Sequence, residues 1–526
     1  MDDLRRWARE TPDHLAMVSH FWETDDCPDV RLTYAELAAR VDRVAAGLLE
    51  LGVRPGDRVC MQLVNQWQAS VLVLACARIG AVVVPFFIAT GATDTEWVLR
   101  ESEATVIVSL DEVRGVEVAK TIAGMRDRLP ALRHHVVVGD PTPVAALDFE
   151  ADLLGTAWEE RHPDLDQYAP GADDLFQIMY TSGTTGRPKG VMHTYNTLYA
   201  MSRSYTVPLG LGADDVLTTP CIIGGQGGWL YGLLTPLLLG ATAVWADAYK
   251  PADLLDLAQA YGITTAYFTP AILDLLIAEQ RERPRPLELR HMVTGSTPIP
   301  PRMPADFHEV FGLPLLSLWG MTENGGVTIS RPDDPWDWAV HSDGSSVEWM
   351  RLRLVDDDGR EVEGDASGRL EISGANMCVG YYLAEEVWAG SLHDGWFVTG
   401  DLARYDGRGG IKIIGRVKDL INKGGVHVPS VTVEAILRED PRVREVAVVG
   451  EPVEPLGEQI VAFVVADDPP PTLAELQDRV RAAGMTRGYE PDRLEVVAEL
   501  PKTATGKIRK RELEDRLAGR SAQPSA

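Results

Sequence analysis

A chain of 526 residues is too long for one ordinary core and implies a large domain, or a pair of subdomains, beside a smaller one. Its 45% hydrophobic and 24% charged residues exclude disorder. Acidic side chains outnumber basic ones by 78 to 50, a net charge of -28, so the surface as a whole repels nucleic acid and anionic membranes. An anionic ligand must therefore find a local basic pocket.

The opening MDDLRRWARE is charged and amphipathic and lacks the apolar stretch of a signal peptide. Five cysteines, Cys27, Cys60, Cys76, Cys221 and Cys378, stand singly without a CxxC pair, the pattern of reduced thiols in a cytoplasm. From Leu32, LTYAELAARVDRVAAGLLELGV has apolar residues at helical spacing, and Arg54, Pro55 and Gly56 end it. A strand at 59–63, a helix at 67–79 closed by Gly80 and the strand AVVVPF follow in α/β alternation. A helix at 94–102 and a strand at 105–109 repeat the unit. Residues 141–174 are weakly patterned and read as linker.

Next comes YTSGTTGRPKGVM, from Tyr180 to Met192. Leu175, Phe176, Ile178 and Met179 lead into it as a strand. Thr181, Ser182, Thr184 and Thr185 supply hydroxyls, Gly183 and Gly186 let the backbone bend close to an anion, and Lys189 adds a point charge. Such a run can wrap phosphate oxygens. It is not a Walker A loop, because Arg187 and Pro188 separate Gly186 from Lys189 and Gly190 follows the lysine. Taken alone it reads equally well as a flexible connection between strand and helix.

The uncharged stretch between Asp215 and Asp247 is interrupted by Pro220, Pro236 and several glycines, and reads as a buried helix followed by a buried strand at 241–245. Helices at 252–261 and 270–279 flank a strand at 264–268. HMVTGSTPIP and LLSLWGMTENGG are each a strand running into a turn of small residues, the place where ligand sites gather in α/β sheets. After about Glu348 the short alternating runs RLRLVD, GRLEIS and IKIIGR signal a twisted antiparallel region. Past Arg416 lies a compact unit with a helix from Thr432, the strands VREVAVVG and QIVAFVVA, a helix from Thr472 and a charged helix from Ile508, ending in a frayed GRSAQPSA. The expected fold is α/β, with a large N-terminal domain over 1–415 that includes the twisted β region. A small mobile α+β domain is expected over 416–526.

Three later motifs, SLWGMTENG (Ser317 to Gly325), WFVTGD ending in Asp401 with GRVKDLINKGG from Gly415, and PKTATGKIRK (Pro501 to Lys510), stand in order behind YTSGTTGRPKG. In that order and spacing the chain resembles the adenylate-forming superfamily of acyl-CoA synthetases, peptide-synthetase adenylation domains and firefly luciferase. The resemblance runs from LTYAEL to the lysine motif and is closest to a stand-alone acyl-CoA ligase.

The resemblance implies attack of a carboxylate on the α-phosphorus of ATP, giving an acyl adenylate and pyrophosphate, and then displacement of AMP by a thiol. It implies that Lys507 bridges carboxylate and α-phosphate, that Glu323 holds Mg²⁺ and that Thr322 bonds the α-phosphate. Thr181, Ser182, Gly183, Thr184, Thr185 and Lys189 would cradle the phosphates. Asp401 would accept the ribose hydroxyls, Arg416 would reach ribose and phosphate, and Trp319 would lie on the adenine where the family more often has Tyr, keeping the π face and dropping the phenol. Ser296, Thr297 and Pro298 would line the other side. Lys418 would be the hinge about which the small domain turns, bringing Gly424 and Gly425 to a pantetheine arm.

The family commonly has P-x-x-His after the phosphate loop; here PCIIGGQGG places Ile223 at the histidine position, which disfavours a catechol-type acid. Ile223, Gly225, Trp229, Val293, Gly320, Gly326 and Val327 are the expected acyl-pocket residues, with Gly227 and Gly228 adding space for a bulky, mostly apolar, polycyclic or aromatic acid. The same glycines could instead let a helix approach the sheet. No carrier-protein domain follows Lys507, so CoA is the expected thiol, with a free-standing carrier protein as the alternative. A protein performing only thioester formation is the other alternative, and a homodimer is left open.

Overall fold

The computed structural model describes residues 2–21, 28–181, 188–248, 250–364, 366–423, 426–453, 457–485, 488–502 and 508–521. Two large sheets dominate the N-terminal part. The eight-stranded sheet runs, in spatial order, Gly380–Tyr381, Lys189–Thr194, Leu175–Thr181, Val82–Pro85, Arg58–Gln62, Val106–Leu110, His134–Val138 and Leu147–Asp148. The nine-stranded sheet runs Ser345–Ser346, Gly325–Ile329, Leu315–Met321, His291–Gly295, Thr265–Phe268, Val216–Thr218, Thr242–Ala246, Leu15–His20 and Val30–Thr33. Their centres are parallel and their outer strands antiparallel, except Leu147–Asp148, which pairs parallel.

Helices fill the space between them. Trp67–Arg78 is buried at all twelve positions, as a helix apolar on every side must be. One core cluster takes Val59, Val83 and Val106 from one sheet and Ala243, Val293 and Leu316 from the other. The single cation in the buried helix, Arg78, is held by Asp42 at 2.9 Å and Asp166 at 2.7 Å, since a buried charge must be paired. Tyr34–Glu50 starts at a capping box formed by Thr33 and Glu36.

Residues 141–174, read as linker from the sequence, are part of the fold. Leu147–Asp148 adds an edge strand, Phe149 and Leu153 are fully buried, and Arg43 pairs with Glu159 at 2.7 Å. One apolar pair on a single turn is too short to register as periodicity. The phosphate-loop region also differs from the strand-to-helix reading. Thr181 lies opposite Lys189 across an antiparallel pair, so the loop joins two strands of a hairpin. The helix Tyr195–Leu209 begins only after Thr194, in a second capping box with Thr197.

A third sheet, antiparallel, contains Met350–Val355, Ser367–Gly374, Trp396–Tyr405 and Ile411–Arg416. Chain then passes through the short turn Val417–Asp419 into the separate C-terminal domain. There the long strands Val443–Val453 and Gly457–Ala466 alternate strictly. Val446, Val448, Ile460 and Ala462 meet the helices Ser430–Leu437 and Leu473–Ala482, while Ala447, Val449, Val461 and Phe463 meet Lys510–Ser521 on the opposite face. Among the described residues no helix is long and apolar enough to cross a membrane.

Candidate active site

The strand Leu315–Met321 leaves the core at Leu318 and carries Trp319, Gly320 and Met321 half-exposed into a tight hairpin with Gly325–Ile329. A Cβ added at Gly320 would overlap the Gly325 carbonyl oxygen, so only glycine closes this turn. Asn324 is fully buried, its Oδ1 accepts from the Met321 N–H at 2.8 Å, and its Nδ2 has no partner among the described residues.

Thr322 and Glu323 sit at the tip. His193, fully buried on the return strand of the phosphate-loop hairpin, donates from Nε2 to the Thr322 carbonyl at 2.8 Å, with Nδ1 3.1 Å from the Thr197 hydroxyl. A carbonyl only accepts, so Nε2 carries the proton of the neutral ring. Burial holds that imidazole down to about 4 from its ordinary 6.5. Glu323 is buried; its Oε1 accepts from the Tyr381 hydroxyl at 2.9 Å, and its carbonyl accepts from the Cys378 N–H at 2.7 Å. Burial, and then the Glu323 carboxylate, push the Tyr381 phenol well above its usual range, so it stays a donor. The Lys189 ammonium lies 5.0 Å from the centre of the Tyr381 ring. Lys189, Tyr381, Glu323 and Thr322 thus form one connected wall.

A second group forms where the nine-stranded sheet meets the third sheet. Asp401 and Arg416 are directly opposite on adjacent strands, and Arg416 Nε lies 2.7 Å from Asp401 Oδ1. The Trp319 indole N–H donates to Asp401 Oδ2 at 3.0 Å. The Asp401 N–H donates to the Thr399 hydroxyl, which donates in turn to the Leu370 carbonyl at 2.8 Å. Asp401 is only 6% exposed, and a carboxylate so buried needs the cation and the indole donor that lie against it. Ser296, at the end of the neighbouring strand, takes a left-handed φ of 69°, and its hydroxyl is 2.8 Å from that of the buried Tyr267. Thr297 is half-buried and Pro298 is exposed beside it.

The expected acyl-pocket residues fall into two settings. Ile223, Trp229, Val293 and Val327 are fully buried in the main core. Trp229 packs on Phe176, ring centres 5.7 Å apart, and the space between the two sheets claims all four apolar side chains. Gly320 serves hairpin closure. Gly225 and Gly326 do face side-chain tips: a Cβ at Gly225 would come 3.0 Å from Phe87 Cζ, and one at Gly326 would come 3.3 Å from the Tyr231 hydroxyl. Beside them the rings of Tyr205, Tyr231 and Tyr267 form a row with centres 4.3 and 4.6 Å apart. Gln226 is buried against Met201 Sδ, and its Oε1 has no partner among the described residues. Asn65 clamps the loop by accepting from the Ile223 N–H at 2.8 Å and donating to the Cys221 carbonyl at 2.9 Å.

Ser182, Gly183, Thr184, Thr185, Gly425 and Lys507 lie outside the described residues. Lys418 stands exposed in the Val417–Asp419 turn. His193, Tyr381, Phe87 and the tyrosine row were not singled out in the sequence. The only signal was a histidine in the middle of an apolar strand.

Residues 4–382 match the AMP-binding enzyme domain, and residues 432–507 match the AMP-binding enzyme C-terminal domain. The chain belongs to the AMP-binding enzyme family. Its two matched domains and its relatives are those of acyl-CoA ligases among the adenylate-forming enzymes. It is 31% identical over 514 residues to a medium-chain fatty-acid–CoA ligase of Escherichia coli (strain K12), covering 97% of this chain and 88% of the relative. It is also 31% identical over 533 residues to a 2-hydroxy-7-methoxy-5-methyl-1-naphthoate–CoA ligase of Streptomyces carzinostaticus, covering 99% and 93%. An anthranilate CoA ligase solved in complex with anthranoyl-AMP superposes with a TM-score of 0.88 at 25% identity, covering 99% of this chain and 98% of that one.

Proposed function

We propose that this family member is an ATP-dependent carboxylic acid:CoA ligase acting on a bulky aromatic acid. The observation that carries the reading is Asp401, a buried carboxylate whose two oxygens are held by Arg416 and Trp319, an acceptor pair suited to the two hydroxyls of a ribose. Glu323 is one buried carboxylate beside the phosphate-loop hairpin. That donor fits a hard cation bound through a carboxylate plus phosphate oxygens, so Glu323 would hold Mg²⁺, which neutralises triphosphate charge when bound.

In the first step a carboxylate oxygen attacks the α-phosphorus and pyrophosphate leaves. In the second the CoA sulfur attacks the acyl carbon, and AMP leaves with the electron pair of the broken C–O bond. A carboxylate is a weak nucleophile and the phosphates are anionic, so the protein contributes position and charge. Lys189 and Lys507 supply cationic charge at the phosphates, Thr322 is held at them by His193, and Trp319 with Ser296, Thr297 and Pro298 bounds the base. The domains divide at 416, with Lys418 as the hinge and Gly425 beside the pantetheine arm after rotation. The row Tyr205, Tyr231 and Tyr267, with Phe87, Gly225 and Gly326, supports an aromatic acid.

The test is AMP release across fatty, aryl and polycyclic acids, with and without CoA. An acyl-CoA product from an aromatic acid supports the reading. A thioester formed only on a carrier protein would make this a carrier-loading ligase, and turnover only of preformed acyl adenylates would make it a thioester-forming half-enzyme.

A further inference from the structure

Trp319 has the ring of a stacking platform but also a polar tip with a defined partner. The strand register shifts between Trp319 and Gly320, a bulge of the kind that re-aims a side chain beside a site. The bulge leaves the indole half-buried, with its N–H 3.0 Å from Oδ2 of a carboxylate on another sheet. Arg416 is 2.7 Å from the other oxygen. A cation paired with one oxygen and an N–H donated to the other together set the plane of the carboxylate.

We propose that Trp319 is a positioning residue for ribose recognition, its indole N–H locking Asp401 in the plane that meets both hydroxyls of the nucleotide's cis-diol. The proposal rests on the reading of Asp401 as the ribose acceptor. A Tyr or Phe at 319 would keep a face for the adenine and lose the ring N–H at that point. Trp319 therefore couples base contact to sugar discrimination, which a ring acting only by stacking cannot do.

Calorimetric binding of ATP, 2′-deoxyATP and 3′-deoxyATP to the full chain tests this without knowledge of the acid. Wild-type protein is expected to bind the deoxy nucleotides about tenfold more weakly than ATP, as expected for removing a hydrogen bond to a charged group. In Trp319→Phe and Trp319→Tyr, ATP binding should weaken about tenfold and the deoxy penalty should shrink to about threefold or less, because a loosened carboxylate no longer rewards both hydroxyls. Equal weakening for all three nucleotides in both variants, or no weakening, would overturn the proposal and leave Trp319 a stacking or packing residue. Absence of ATP binding by wild-type protein would instead remove the nucleotide reading beneath it.

Discussion

Around Asp401 the polar side chains hold one another: Arg416 and Trp319 take its two oxygens, Thr399 accepts its N–H, and nearby Tyr381 holds Glu323 while His193 holds Thr322. Around Gly225 and Gly326 the neighbours are rings, and Gln226 Oε1 is buried without a partner among the described residues. Under the proposed function the contrast follows from the ligands. A nucleotide is always the same, so its acceptors are worth fixing before it arrives, and a preorganised carboxylate costs no reorganisation during reaction. On the acyl side the surface is shaped by packing of aromatic rings, and its polar atoms are left to be satisfied by the acid or by water.

Removing Lys507, the proposed catalytic cation, should have the largest effect on the contrast. Lys507→Ala is expected to lower acid-dependent pyrophosphate exchange by about a hundredfold to a thousandfold, the usual cost of losing one charge-stabilising donor. Conversion of a preformed acyl adenylate with CoA should be nearly unchanged. Equal loss in both assays would place Lys507 outside the first step.

His193 joins the nucleotide wall to the protein's acid stability. Its imidazole is held at about 4 by burial, so below 6.5 the unfolded chain takes up a proton that the folded protein refuses. The sign is that stability is full above 6.5 and falls as pH drops towards 4, by roughly 3 kcal/mol for this group. His135, bonded to Ser109 in the sheet, is also held at about 4 by burial and adds a similar slope. Denaturant titrations from pH 7 to 4 should show the slope reduced in His193→Gln but not removed. A slope identical to wild type would mean His193 is not buried neutral.

Asp401→Asn keeps the shape and removes the charge that Arg416 and Trp319 were gathered to satisfy. ATP binding is expected to weaken about tenfold or more, with little change in the KM of the acid. Gly326→Ala should do the reverse on a smaller scale. Its Cβ would press on Leu318 Cδ1 at 3.1 Å and on the Tyr231 hydroxyl, so KM for a bulky acid should rise severalfold while ATP binding holds. If both variants moved ATP and acid together, the two halves of the cleft would not be independent.

The residues of the proposed nucleotide site lie in short runs of the sequence: Thr322 and Glu323 in one turn, Asp401 at the end of WFVTGD, Arg416 fifteen residues on and directly opposite it. Trp319 was legible as a ring but not as a donor, because its bond to Asp401 crosses 82 residues and depends on a bulge that no local pattern announces. The acyl half is less legible for a physical reason. Ile223, Trp229, Val293 and Val327 are as apolar as pocket walls, and between two sheets the core has first claim on such side chains. What actually meets Gly225 and Gly326 comes from Phe87 and Tyr231, contributed by distant segments. In the fold, long periodic helices and alternating strands are readable to within about three residues, whereas the irregular stretch 141–174 hides an edge strand and three core residues, Phe149, Leu153 and Leu165.

The most direct test of the central claim is exchange of labelled pyrophosphate into ATP, followed for fatty, aryl and polycyclic acids on the wild-type chain and on Lys507→Ala. Exchange that depends on an aromatic acid and collapses in the variant is the expected result. Exchange that proceeds without any acid, or that survives in Lys507→Ala, would contradict the account.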